Sequence, residues 1–425
     1  MLQISFIRKN KEEILLGLEK RNFPKKNLID DILNLDKKKK KVQYNFNKIL
    51  KIENKISKEI GILLKRKKNE EVDKIHSLKM NSLFLKEKKK NLYFQLKNII
   101  DSLEDKLNKI PNIPNKLVKK DFKEEDILFQ EGDLFHLKMN KPLFHWELSK
   151  KFHLFDLFLG TKICGSGFAV YIGKGAKLQR SLIQYFLDKN IQASYKEYSL
   201  PYLIQEKSGY STGQIPDKEG QMYFIEKDHL YLIPTGEIPL MNCYRDNLLN
   251  YNDLPIKSTT YTSCFRREAG SYGSKVRGLN RLHQFEKVEI IQITTPETSY
   301  YYLDEMILHV KNILLSLKLP FRIIRLIGKN LGFSSSITYD FEVYSMAQKK
   351  WLEVSSVSNC TNYQSKRLNL RYKNKEGKVE LCHTLNGSSL AIPRIMAALL
   401  ENNQTIDQIN IPKVLIPYTG FHHIK

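Results

Sequence analysis

A 4-3 spacing of apolar residues governs the first quarter of the chain. It runs through Leu28, Ile32, Leu35, Lys39, Val42, Phe46, Ile49, Glu53, Ile56, Ile60 and Leu63, and nine of these eleven positions are apolar. Side chains repeating every 3.5 residues make one stripe along a helix, which a second helix can cover. That second stripe follows at Ile75, Leu78, Ser82, Leu85, Lys89, Leu92, Leu96, Ile99, Leu103, Lys106 and Ile110, with eight of eleven apolar. The link between them, Lys65-Arg66-Lys67-Lys68-Asn69-Glu70-Glu71, has nothing to bury. A link this short forces the two helices back on each other as an antiparallel hairpin. At about 1.5 Å per residue, the first helix alone is a rod of roughly 50 Å. Ile110-Pro111-Asn112-Ile113-Pro114 ends the pattern, because each proline turns the residue before it away from helical geometry. The sequence therefore divides into residues 1–112, carrying the hairpin, and residues 113–425.

Charge follows the same division. The net charge is +24, and residues 1–120 hold 32 Lys and Arg against 15 Asp and Glu. The hairpin carries basic runs at Lys37 to Lys41, Lys65 to Lys68 and Lys86 to Lys90, the last interrupted by Glu87 alone. Such runs suit a polyanion, whose counterions they displace. Taken singly, each is equally a solvated helix face, and a protein-binding coiled coil would look similar. Lys, Asn and Ile are also abundant throughout, as an AT-rich genome produces. The five cysteines, Cys164, Cys243, Cys264, Cys360 and Cys382, are scattered without a Cys-x-x-Cys pair, so no zinc site is expected. No apolar run approaches the roughly 18 residues of a membrane span. The first residues gain charge too early for a signal peptide, and a cytoplasmic protein is the expectation.

Beyond residue 112 short β-rich runs alternate with occasional helices such as Gly175 to Asn190, which reads as an α+β domain built on an antiparallel sheet. Neither a P-loop nor a dinucleotide-binding glycine motif is present. Polar residues concentrate between Thr259 and Ile293. Alternation along a strand sends Cys264, Arg266 and Glu268 one way and Phe265 and Arg267 the other. A glycine-rich basic turn, Ala269 to Gly278, leads to a second strand with Arg281, His283, Phe285, Lys287 and Glu289 on one face and Leu282, Val288 and Ile290 opposite. Cations for phosphate, an aromatic for a base and carboxylates for an amine or hydroxyl make such a pair of strands a candidate site. A third strand, Lys350 to Ser356, sets Glu353 and Ser355 on one face. Asn386-Gly387-Ser388-Ser389 then leads into an apolar helix from Leu390 to Leu400. Arg394 near that helix start faces the positive end of the dipole, a placement an anion would offset.

As a set these residues resemble seryl-tRNA synthetases. Phe265-Arg266-Arg267-Glu268 through Arg277-Gly278-Leu279 to Gln284-Phe285 and Lys287-Val288-Glu289 is similar to the family's motif 2, and Leu385-Asn386-Gly387-Ser388 through Pro393-Arg394 to motif 3. Gly175 to Pro201 resembles motif 1, which in the family builds a dimer interface. Thr235-Gly236-Glu237 looks like the serine loop and Glu353-Val354-Ser355-Ser356 like an ATP segment. The resemblance implies a class II synthetase catalytic domain behind a tRNA-binding arm, in a homodimer whose arm reaches tRNA bound across the dimer. It implies a ligase that activates L-serine with ATP and Mg²⁺ to seryl-adenylate, then transfers serine to the 3'-terminal adenosine of tRNA(Ser); charging of tRNA(Sec) is left open. It further implies that Arg266, Arg267, Glu268, Phe285, Glu353, Val354, Ser355, Ser356 and Arg394 meet ATP, with Arg266 and Arg394 catalytic and Glu353 on Mg²⁺. Thr235, Gly236, Glu237, Glu289, Asn386 and Ser388 would meet serine. Three residues depart from the family's habit: Gly236 replaces an alanine, Arg267 a serine and Gly167 a frequent arginine.

Overall fold

The computed structural model describes residues 1–66, 71–134, 141–217, 220–268 and 277–425. The end of the basic link from Lys67 and the turn Ala269 to Val276 lie outside the described residues. The chain forms two compact units, one of Leu2–Leu18 with Phe23–Pro111, the other of Met1, Glu19–Asn22 and Asn112–Lys425.

In the first unit, helix α1 (Leu28–Arg66) and helix α2 (Val72–Leu107) pack along their length. The heptad seam is their contact: Ile49, Ile56, Leu63, Leu85, Leu96 and Leu103 are buried. Three of the five polar seam positions have partners. Glu53 is buried and pairs with Lys89 from the facing stripe, and Lys106 reaches Asp31 at 2.7 Å. Two interruptions of the apolar pattern thus meet, which also fixes the register of the hairpin, since a slip of one heptad would separate them. The second helix stops at Leu107, a turn short of Ile110, which stays buried in the turn that follows.

The second unit is organised by an eight-stranded sheet. Its strands, in chain order, are β1 (Ile127–Glu131), β2 (Lys196–Tyr198), β3 (Ile256–Phe265), β4 (Gln284–Thr294), β5 (Phe321–Arg325), β6 (Ile337–Ser345), β7 (Lys350–Asn359) and β8 (His383–Ala391). They lie in the order β1-β5-β6-β7-β8-β4-β3-β2, antiparallel except for β2 along β3. The helices of this unit include α3 (His145–Phe152), α4 (Leu157–Cys164), α5 (Gly173–Gln192), α6 (Ser299–Leu317) and α7 (Ile392–Asn402). Of these, α5, α6 and α7 cover the sheet. Leu182, Phe186, Met306, Val310, Ile395 and Met396 meet Val288, Ile290, Phe341 and Val357 in the main core. Alternation along β4 then turns Lys287 and Glu289 away from that core, while the half-buried Phe285 packs at its edge. Farther along the same side, Ile291 and Ile293 join Leu240 and Met241 in a separate apolar cluster that closes this end of the sheet.

The third motif is organised differently from the sequence expectation. Asn386 to Ser389 lie inside β8, and the apolar helix begins at Ile392 rather than Leu390. The ladder with β4 continues through this segment, pairing Ser388 with Glu289 and Asn386 with Ile291. Cross-strand hydrogen bonding outweighs the local helical preference until Pro393, which suits the first helical turn.

The Glu53–Lys89 pair gives a prediction. Lys89→Ala, which leaves Glu53 buried without its partner, should destabilise the hairpin by roughly 1–2 kcal/mol, less than full burial would give because Lys89 is partly exposed. Replacing both by leucine should restore or raise stability, as read from hydrogen-exchange protection of the hairpin amides.

Candidate active site

Strand β3 delivers its polar residues just past its end. Arg266 still donates its backbone N–H to His283 at 2.8 Å, and Glu268 turns out of the strand with φ +47°. Arg266 and Glu268 share an open cleft with Arg281, Phe285, Lys287, Glu353, Val354, Ser355, Ser388 and Arg394. Arg267 does not enter it. Its N–H bonds the Gln221 carbonyl, and its guanidinium lies 5.7 Å from the Tyr223 ring centre. Ser356 also stays off the cleft wall and is bonded to Asp340 on the neighbouring strand.

Three arginines set the electrostatics of the cleft. The Arg266 guanidinium lies 5.2 Å from the centre of the Phe285 ring and donates from Nε to the Pro234 carbonyl at 3.3 Å. Arg281 pairs with Glu268 at 3.2 Å. Arg394, the third residue of α7, donates from Nε to the Asn280 carbonyl at 3.1 Å and from a terminal nitrogen to the Glu353 carbonyl at 2.7 Å. These anchors fix cations around a space sized for an anion, beside an aromatic face.

Of the residues named for serine, Ser388 lines the cleft itself, Thr235 shares a second pocket with Arg266, and Glu237 and Asn386 line a third. Lys287 joins the two regions: its ammonium meets the Glu289 carboxylate at 2.6 Å and the Thr235 hydroxyl at 3.0 Å. Glu237 accepts from Asn386 at 2.7 Å and from Gln364 at 2.6 Å. Burial and the nearby Glu289 push Glu237 up to about 7, against the pull of Gln364, Lys287 and Asn386. Burial likewise raises Glu289, although Lys287 and Thr235 oppose it. Two buried carboxylates thus share one ammonium, and a second cation would relieve the excess negative charge. Gly236 packs its backbone against Thr260 and Thr262; a Cβ there would stand 2.9 Å from the Thr260 methyl.

On β6, Asp340 is buried, and one of its carboxylate oxygens has no partner among the described residues. Burial and the neighbouring Glu353 push it up to about 8, opposed by Ser356 and Arg394. An orphaned oxygen beside a second carboxylate and a serine is a donor set of the kind hard cations take. Among the described residues no group of three or more His, Cys, Asp and Glu could hold a metal unaided.

Comparison with known proteins accounts for both units. Residues 1–114 match the seryl-tRNA synthetase N-terminal domain, and residues 223–403 match the class II tRNA synthetase core domain shared by the G, H, P, S and T enzymes. A serine–tRNA ligase of Methylacidiphilum infernorum is 46% identical over 98% of this chain and 97% of its own length. Another, from Salinibacter ruber, is 41% identical over 100% and 99%. The crystal structure of seryl-tRNA synthetase from Pyrococcus horikoshii complexed with ATP superposes with a TM-score of 0.91 at 31% identity, covering 100% of this chain and 99% of that one.

The chain belongs to the seryl-tRNA synthetase family.

Within that family frame, Asn280 and Asp340 carry no signal in the sequence, and Lys287 stands on the expected strand face without its contacts being visible there. Lys287 was recognisable as lying between Phe285 and Glu289 on one strand face, but its double contact depends on Thr235, 52 residues away. Asp340 meets Glu353 only across the β6–β7 pair, and nothing local marks it. Gly167, where the synthetases frequently carry arginine, has φ +83°, and a Cβ there would overlap the His283 ring. Its carbonyl instead accepts the His283 N–H at 2.8 Å. A side chain at 167 is incompatible with this backbone.

The raised Glu237 supplies a pH prediction. Between about 4.5, where an unfolded glutamate ionises, and about 7, the folded chain holds a proton that the unfolded chain has released. Stability from this group therefore falls as pH rises through that window. Glu237→Gln keeps an oxygen to accept from Asn386 and Gln364 but carries no charge. It should melt above the wild type near pH 8, and the gap should close below about pH 5 in scanning calorimetry.

Proposed function

We propose that the cleft takes ATP and the region around Glu237 and Glu289 takes L-serine, with Arg266 and Lys287 at the junction where the two react. Family membership makes the chain a serine–tRNA ligase; the proposal is how its residues divide the work. The observation that carries it is the charge arrangement: cationic groups at the cleft, and two buried carboxylates with one ammonium beside it. ATP brings negative charge to the first. The serine α-ammonium brings positive charge to the second.

In this reading the Phe285 ring stacks the adenine, Glu268 accepts its amino group and Arg394 holds the γ-phosphate. Thr235, Glu237, Glu289, Asn386 and Ser388 surround serine, and Gly236 allows close approach of the loop. A carboxylate oxygen of serine attacks the α-phosphorus, the bond from phosphorus to the β-phosphate oxygen breaks, and pyrophosphate leaves. Arg266 stabilises the charge growing on the α-phosphoryl oxygens, so catalysis is by positioning and fixed charge. Glu353 would hold Mg²⁺ at the cleft, with Asp340 and its partner Ser356 the nearest further oxygen donors. When bound, the ion neutralises charge on the departing pyrophosphate. Discrimination against alanine follows from buried polar groups that only a hydroxyl can pair.

The second step passes serine to the 3'-terminal adenosine of tRNA(Ser). The hairpin, with its runs of lysine, is the tRNA grip. We also propose a homodimer in which the hairpin of one protomer serves tRNA bound across the pair. Phe158 and Ile163 of α4 are strongly exposed and would be covered by such an association. No helix among the described residues is long and apolar enough to cross a membrane, and the cytoplasm is where this tRNA chemistry belongs.

Serine-dependent exchange of labelled pyrophosphate into ATP tests the first step, and no exchange by folded protein would refute it. Removing residues 30–105 should leave that exchange intact while tRNA charging falls about a hundredfold or more, because phosphate contacts supply much of RNA affinity. Undiminished charging would show that the grip lies elsewhere.

A further inference from the structure

The returning limb of the motif 2 segment, Arg277 to Leu282, forms one wall of the cleft through Leu279, Asn280, Arg281 and Leu282. What holds that wall is a buried carboxylate on the far side. Glu401, near the end of α7, is fully buried. It accepts from the His145 N–H at 2.9 Å, from His145 Nδ1 at 2.6 Å, from Gln348 Nε2 at 3.0 Å and from the Ser345 hydroxyl. The backbone N–H, the amide and the hydroxyl around the carboxylate all donate to it, so in the His145 contact too it is the acceptor and Nδ1 carries the proton.

The opposite ring nitrogen is then an acceptor, and it is used: the Leu279 N–H donates to His145 Nε2 at 2.8 Å. Protonation of both nitrogens would put a hydrogen where this bond requires a lone pair. A second branch leaves the same carboxylate. Gln348, held by Glu401, accepts from Asn280 Nδ2 at 3.0 Å, and the Asn280 carbonyl accepts from Arg394. Around the first branch the fit is close. Gly278 has φ +74°, and a Cβ there would overlap His145 Nε2 and stand 2.8 Å from the Trp146 ring. The Arg277 guanidinium lies 4.9 Å from the Trp146 ring centre. Residues 145 and 146 at the start of α3 thus grip three successive residues of the limb.

We propose that His145 is a positioning residue for the nucleotide cleft, acting as a neutral imidazole whose Nε2 fixes the Leu279 backbone and so the wall of the site. It touches neither substrate. Its effect passes through Leu279 and Asn280 to the place where ATP sits, and the inference rests on the assignment of ATP to that cleft.

The two ring nitrogens can be tested separately. His145→Gln places an oxygen near Nε2, keeping the acceptor for Leu279 while losing the donor to Glu401. His145→Asn keeps a donor toward Glu401 and is too short to reach Leu279. In serine-dependent pyrophosphate exchange, His145→Asn should raise KM for ATP about tenfold or more with KM for serine nearly unchanged, while His145→Gln stays within about threefold of wild type. Melting temperatures measured alongside separate loss of fold from loss of positioning. If His145→Gln is the more impaired of the two, the bond to Glu401 is what matters, and if the two are equally impaired or both KM values rise together, the ring serves packing alone; each of these outcomes overturns the proposal. Arg394→Ala belongs in the same series: an unchanged KM for ATP in that variant would refute the ATP assignment itself, independently of His145.

Discussion

The pairing of β4 between β3 and β8 is the constraint on which the site depends. Its register sets Phe285 against Cys264, Glu289 against Thr260 on one side and Ser388 on the other, and the backbone pairing runs on to Arg266 and His283. β3 and β4 thereby place an arginine, an aromatic ring, a lysine and a carboxylate on one side of a single sheet, and β8 adds Ser388 beside them. The opposite side is filled by Val288 and Ile290 against helices. A slip of one residue would exchange the two sides and bury charge in the core, so hydrophobic packing enforces the chemical arrangement.

That dependence explains what the sequence could disclose. Alternation along a strand is local, so the split of Arg266 and Glu268 from Arg267, and of Phe285 and Glu289 from Val288, was legible without a structure. The heptads of the hairpin were legible for the same reason, since 3.5-residue spacing needs no distant partner to be seen. Pairing between stripes was less visible. Glu53 and Lys89 each read as a defect until the hairpin brings them together. Asp340, Gln364 and His145 belong to a further class: each acts on a group more than ten residues away, and its own neighbourhood carries no pattern. The start of α7 is obscured in the sequence because Asn386 to Leu390 has a plausible capping pattern, while the ladder that keeps it extended comes from β4 and β7.

Charge plays different parts in the two units. On the hairpin it is largely exposed, and its worth depends on salt and on a polyanion being present. In the catalytic unit it is buried and structured. Lys287 cannot satisfy Glu237 and Glu289 together, and Asp340 is held near Glu353 with an oxygen unpaired. Such arrangements oppose folding and are of the kind that ligands of complementary charge complete, which supports the division between ATP and serine proposed above. The overall +24 of the chain does not convey this. Its informative part is a handful of side chains whose charges are held out of water.

The glycines show how closely the backbone is fitted around these charges. At Gly167 and Gly278 a positive φ coincides with a neighbouring ring, His283 in one case and His145 in the other, that occupies the volume a side chain would need. His283 is itself held by the Tyr223 hydroxyl at 2.8 Å and stacked on Phe168. Both histidines use a ring nitrogen or a backbone N–H to hold a strand end or a loop limb next to the cleft. An arginine at 167, frequent in the family, would require a different backbone here and would displace His283, whose carbonyl receives the Arg266 N–H. The departure at 167 is therefore coupled to the placement of Arg266: in this chain a ring and two backbone hydrogen bonds support that arginine.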